Sequence, residues 1–214
     1  MSSPEAASPA LLEAVALSCR RGPVRLFHDL TLTASAGEAV WLRGPNGSGK
    51  TTLLRCLAGL TRVDAGEVRW SGRPVTDVDS AFRENLAFVG HLPGLKDDLT
   101  TDENLDFALK LRGIRSDGAQ RRAALDQVGL APRLKLPARR LSAGQRRRIN
   151  LARLALDPAR LWLLDEPLTA LDDQGQQLFL SLLGAHLTSG GVCVAATHHS
   201  LAPAGGRARE VWLA

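Results

Sequence analysis

The chain has 214 residues, 44% of them hydrophobic, enough for one well-buried core with a small subdomain, since single domains commonly reach about 200 residues. Its formal charge of +5 arises from 27 basic residues set against 22 acidic ones. They are spread along the chain, so charge gives no ground for a nucleic-acid partner. Three cysteines, Cys19, Cys56 and Cys193, are odd in number and widely spaced; neither a disulfide framework nor a zinc site is indicated, and reduced cytosolic thiols fit best.

The first ten residues, MSSPEAASPA, lack the basic and apolar regions of a secretory signal. No stretch approaches the roughly 20 apolar residues of a membrane-spanning helix. Any membrane role is therefore expected to be peripheral. Strand-like segments follow at 11–17, 26–34 and 38–44, with Ala36 and Gly37 as the turn between the last two. GPNGSGKTTLLRCLAGL then passes from a glycine-rich loop into apolar residues at helical spacing, Leu53, Leu54, Leu57 and Leu60. The sheet pattern resumes at GEVRW and NLAFVG, which gives the βαβ grammar of a nucleotide-binding α/β domain.

From Leu99 to about Pro158 three segments show helical periodicity, with Thr101, Ser116 and Ser142 as expected N-caps. The basic residues that bunch within 121–140 and at Arg146, Arg147 and Arg148 read as solvated helical faces. β-type runs return at 161–166 and 192–197, joined by a helix near 173–187. REVWLA closes the chain, and nothing is expected after this last strand.

GPNGSGKT, residues 44–51, matches G-x-x-x-x-G-K-[ST] between a strand and a helix. Gly44, Gly47 and Gly49 let the loop, which also holds Pro45, Asn46 and Ser48, wind closely enough for the backbone N–H groups of its non-proline residues to converge on phosphate oxygens near the helix N-terminus. Lys50 supplies a point charge for the β and γ phosphates, Thr51 a hydroxyl ligand for Mg²⁺, and Thr52 a contact to the α phosphate. LWLLDEP places Asp165 and Glu166 at the end of an apolar strand, which faces the phosphates in such folds. Asp165 is expected to steady the Mg²⁺ shell and Glu166 to polarise the attacking water.

LSAGQ, residues 141–145, resembles the signature of ATP-binding cassette (ABC) ATPases, with Ala143 where glycine is more usual. Thr169-Ala170-Leu171-Asp172 is similar to the D-loop of that family, and His198 to its switch histidine. The resemblance spans nearly the whole chain. It implies an α/β P-loop NTPase fold, with a RecA-like core at about 10–91 and 158–214 and a helical subdomain at about 92–157, all one ABC ATPase domain. It also implies a head-to-tail homodimer that sandwiches two ATP molecules, each held by one subunit's P-loop and by Ser142, Gly144 and Gln145 of the other. His198 would bond the γ phosphate and Glu166, and Asp172 would couple the two sites, whereas His199 is read as an ordinary loop residue.

Within the family, His91 stands where the Q-loop glutamine is usual. A histidine there can still exchange one hydrogen bond, or ligate metal through a neutral nitrogen. Gly90, His91, Pro93, Gly94 and Lys96, followed by Leu99, Thr100, Glu103, Asn104 and Leu105, resemble the CcmA branch, the ATP-binding subunits of bacterial cytochrome c maturation. That branch implies heme export or release of a heme chaperone, a CcmB-like permease and CcmC-like membrane proteins as partners, and a place on the cytoplasmic face of the inner membrane. Direct heme ligation by His91 is not expected, since the chain has no C-x-x-C-H and the Q-loop position explains the residue. The alternatives are another small ABC exporter and a soluble ABC protein, although the latter would normally carry tandem cassettes or a long coiled-coil insertion. With no tyrosine in the chain, Arg20 or Arg21 is the candidate to stack on adenine.

Overall fold

The computed structural model describes residues 10–76, 80–199 and 205–213. The signal-free amino terminus expected from sequence lies outside them up to residue 9, as does the final Ala214. Two long strands, β1 (Ala10–Arg21) and β2 (Val24–Ser35), form an antiparallel hairpin. Strand β3 (Glu38–Arg43) leads into the glycine-rich loop and α1 (Lys50–Leu57). The chain continues through β4 (Ala65–Trp70), β5 (Arg73–Pro74), α2 (Ser80–Glu84) and β6 (Leu86–Val89).

Helices α3 (Thr101–Leu111), α4 (Gly118–Gln127) and α5 (Ala143–Leu156) follow, and then β7 (Leu161–Asp165), α6 (Asp173–Thr188), β8 (Val192–Ala196) and β9 (Arg207–Trp212). The strands divide between two sheets. An antiparallel sheet has the order β2-β1-β4-β5, and a parallel sheet has the order β6-β7-β8-β3-β9. The strand after α1 therefore does not return beside β3, as a simple βαβ unit would require. β4 turns its buried Val68 and Trp70 to the hairpin and pairs with β1, so β3 takes its parallel neighbours from the far end of the chain.

The central strands are buried on both faces, which is why they read as continuous apolar runs. Val40, Leu42, Leu163 and Val194 pack with α1 and the antiparallel sheet. Trp41, Trp162, Leu164 and Ala195 face a second cluster that includes Leu105, Leu125, Ile149 and Phe179 from the helices. The helical segment thus shares its core with one face of the parallel sheet.

Several local boundaries differ from the sequence reading. Helix α3 is capped by Thr100 rather than Thr101, and α4 by Asp117 rather than Ser116. In each case the residue three positions on, Glu103 or Gln120, bonds back to the cap's backbone and completes a capping box. The Thr101 hydroxyl instead donates to the Leu136 carbonyl. Ser142 caps α5 as expected, paired with Gln145. Helix α1 stops at Leu57, short of Leu60. Gly59 takes φ +69°, and bonds from Gly59 N to Cys56 O and from Leu60 N to Arg55 O close a Schellman turn.

Candidate nucleotide site

The carboxyl ends of β3, β7 and β8 open on a cleft of about 830 Å³. This is the end of a parallel sheet where ligands of α/β proteins bind. The loop between β3 and α1 forms one wall, with Asn46, Gly47, Gly49, Lys50, Thr51 and Thr52 lining the space. Its path requires glycine at Gly44: φ is +139°, and a Cβ there would lie 2.4 Å from Leu213 O and 2.7 Å from Ser48 Oγ. Gly49, the N-cap of α1, is likewise left-handed at φ +94°.

Lys50 is buried, and its Nζ donates to the carbonyls of Gly44 and Pro45 at 2.7 and 2.9 Å. Ser48 Oγ is buried without a hydrogen-bond partner. A buried ammonium satisfied only by loop carbonyls, beside an orphaned hydroxyl, suits a loop built to receive an anion. Thr51 Oγ1 donates to Asp165 Oδ2 at 3.0 Å. A hydroxyl beside a carboxylate is a hard-oxygen donor pair of the kind Mg²⁺ prefers, with phosphate oxygens to complete its shell. The residues present therefore fit Mg²⁺ and a nucleoside triphosphate.

Asp165 is the last residue of β7, and Glu166 leaves the strand with φ +50°, a left-handed conformation uncommon for a side chain with a Cβ. Its N–H donates to Ala196 O at 2.9 Å, across to the end of β8. That places Glu166 Oε1 3.4 Å from His198 Nε2. His91 is exposed and lines the same cleft from the end of β6. Cys19, Arg20, Arg21 and Leu26 line the opposite wall, so the hairpin offers guanidinium groups rather than an aromatic ring.

The signature residues sit elsewhere. Ser142, Gly144 and Gln145 do not line this cleft. Gly144 packs on the turn before α6, where an added Cβ would meet Ala170 O at 2.5 Å. The Gln145 side chain accepts from Ser142 N at 3.0 Å, closing its capping box. Asp172 caps α6 through Gly175 N and accepts from Arg148 at 2.6 Å. The Arg148 bond, with that from Gly175, holds the Asp172 carboxyl below the usual carboxylate range.

The reading of Arg146–Arg148 as a solvated face is corrected. Arg147 is only 3% exposed, and Arg148 is turned inward to Asp172 and Val128 O; Arg146 alone lies outward, paired with Asp97 at 2.8 Å. Loop carbonyls and the D-loop carboxylate claim two of the three guanidinium groups. Helical spacing carried a signal for this, because Arg147 falls on the face of Asn150, Leu151 and Leu154, all buried. Arg43 was also not singled out by sequence. It is buried on β3, pairs with Glu210 at 2.7 Å, and donates to the carbonyl of Thr197, next to His198.

The CcmA-like stretch has a structural explanation. Buried Asn104 donates to Lys96 O, Leu99 O and Thr100 O and accepts from Lys96 N, which folds residues 96–100 onto the start of α3. Glu103 caps the same turn, and its bonds from Thr100 lower its pKa.

Comparison with known proteins gives the family and agrees with the fold. The ABC transporter family model matches residues 27–169. The cytochrome c biogenesis ATP-binding export protein CcmA of Nitrosomonas europaea is 47% identical over 191 residues, 89% of this chain and 90% of that protein. CcmA of Escherichia coli is 45% identical over 203 residues, 95% of this chain and 96% of that protein. Among solved structures, a putative ABC transporter ATP-binding protein from Pyrococcus furiosus superposes with TM-score 0.79 at 26% identity, covering 94% of this chain and 96% of that one. An ATP-binding cassette solved as a post-hydrolysis dimer with ADP and Pi gives TM-score 0.80 at 25% identity, covering 94% of each chain. The chain thus belongs to the ABC transporter family as one of its nucleotide-binding ATPase subunits, in the CcmA branch.

Proposed function

We propose that this chain drives a cytochrome c biogenesis exporter by binding and hydrolysing ATP as a head-to-tail homodimer. The observation that carries the reading is the convergence of Lys50, the Thr51–Asp165 pair, Glu166, His198 and His91 on one cleft. Lys50 would exchange its bonds to Gly44 and Pro45 carbonyls for the β and γ phosphate oxygens, helped by the loop N–H groups and the α1 N-terminus. Mg²⁺, held by Thr51 and through water by Asp165, would neutralise charge developing on the phosphates. Glu166 accepts the proton of the attacking water, and His198 orients that carboxylate and the γ phosphate. His91 carries the Q-loop role at the edge of the cleft.

Ser142 and Gly144 serve the partner subunit's nucleotide, and Asp172 couples the two sites from the D-loop. Gln145 supports Ser142 through their capping box. Closure on ATP and reopening after hydrolysis would move the helical segment, about 92–157, against the core at about 10–91 and 158–214, and so move a membrane partner. Among the described residues no helix is long and apolar enough to cross a membrane, in keeping with peripheral attachment at the cytoplasmic face of the inner membrane. The partners in this reading are a CcmB-like permease and CcmC-like proteins, and the work done is export of heme or release of a heme-loaded chaperone.

Purification of the chain from detergent-solubilised native membranes, with mass spectrometry of bound proteins and a heme absorption spectrum of the eluate, tests this. CcmB-like and CcmC-like proteins are expected. A different permease would overturn the pathway and leave the ATPase assignment standing.

A further inference from the structure

We infer that Arg147 is a positioning residue, which ties the helix capped by Ser142 to the backbone of Glu166 and to the loop residue preceding His91. One of its terminal nitrogens donates to Gly90 O at 3.1 Å. The other donates to Asp165 O at 3.3 Å and to Glu166 O. These carbonyls belong to segments 57, 18 and 19 residues away, so a single side chain joins the end of β6, the end of β7 and α5.

The contact falls where the backbone needs support. Glu166 holds φ +50° without being glycine, a conformation that persists only when its surroundings over-determine it. Its N–H is held by Ala196 O, and its carbonyl accepts from Thr169 N at 3.2 Å and from Arg147. Removing the guanidinium would take one donor from each of three carbonyls, leave the Glu166 carbonyl only its bond from Thr169 N, and loosen the peptide that aims the Glu166 side chain. The planar fork of arginine can serve several carbonyls at once, which a compact ammonium on a flexible four-carbon stem cannot do equally well. Because Arg147 lies two residues past Gln145 on the signature helix, displacement of that helix on dimer closure would reach both Glu166 and His91 through the same group.

This inference rests on the proposed role of Glu166 in hydrolysis, and the test separates the two. Arg147→Met and Arg147→Lys are compared with the parent for ATP affinity, KM and kcat. Arg147→Lys keeps the buried charge and is the variant expected to fold in any case. For Arg147→Met, kcat is expected to fall roughly 10–100-fold, the scale of a small misplacement of reacting groups, with ATP affinity and KM near the parent's. Arg147→Lys is expected to recover part of that loss. A parent-like kcat in Arg147→Lys, or a loss seen mainly in ATP affinity or KM, would overturn the positioning role. A slowed Arg147→Lys beside a parent-like Glu166→Gln would sink the general-base assignment while leaving Arg147 as the support of the loop; the reverse pattern would spare Glu166 and remove Arg147.

Discussion

His198 Nε2 lies 3.4 Å from Glu166 Oε1, at the ends of two adjacent parallel strands. The register that pairs Asp165 with Ala196 brings the residues just beyond each strand side by side, although they are far apart in sequence. In the proposed mechanism Glu166 takes the proton of the attacking water, with His198 as its neighbour. Glu166→Gln is expected to keep ATP affinity, lose roughly 100-fold or more of turnover, and accumulate a nucleotide-bound dimer on size-exclusion chromatography. Near-normal hydrolysis would exclude the assignment.

Lys50 is already desolvated and satisfied by two carbonyls of its own loop. Lys50→Ala removes the point charge without adding bulk, so weaker MgATP binding or slower catalysis is expected in a titration and a steady-state assay. Unchanged ATPase activity would contradict the phosphate-binding role of this residue.

His91 is exposed at the mouth of the cleft, and the proposed Q-loop role needs a hydrogen-bonding side chain there rather than an imidazole as such. His91→Gln is accordingly expected to retain substantial ATPase activity. If activity disappears while folding and ATP affinity persist, imidazole chemistry is specifically required there.

The hairpin wall of the cleft presents Arg20 and Arg21, and a guanidinium plane stacks on any purine with little preference. Competition assays should therefore show weak discrimination between ATP and GTP, and Arg20→Ala with Arg21→Ala should weaken both nucleotides together. Strong selectivity for ATP that survives the double substitution would locate the base elsewhere.

His186 stacks on Trp162, with ring centroids 3.9 Å apart, and its Nε2 lies 3.2 Å from Val192 O. Burial pushes its pKa down from 6.5 to about 4. The unfolded chain then takes up a proton that the folded one refuses, so this contribution is intact above about pH 6.5 and falls away as pH drops towards about 4. The difference is on the order of 3 kcal/mol at most. Thermal melts of the parent and His186→Phe should diverge in acid, the parent losing more stability between neutral pH and about pH 4.5. Parallel pH profiles would refute a buried neutral imidazole.

Local patterns made much of the site legible. The loop at 44–51, the Asp165–Glu166 pair after four apolar residues, and the Ser142 cap all follow from rules acting between near neighbours. The same rules misplaced two caps, because Thr100 and Asp117 win by bonding a residue three positions on. They also took Arg147 for a surface residue, since a guanidinium's environment depends on which distant carbonyls lack donors.

By itself the sequence determined the α/β class, the phosphate loop, the acidic strand end and the family signature, because each is written in contiguous residues whose chemistry needs no distant partner. Tertiary structure alone decided that β3 pairs with β8 and β9 rather than with the strand after α1, and that Arg147 and Arg43 hold the backbone beside them. The physical reason is the same throughout: strand partners and buried donors are chosen by which backbone groups and apolar faces remain unsatisfied after the local elements form.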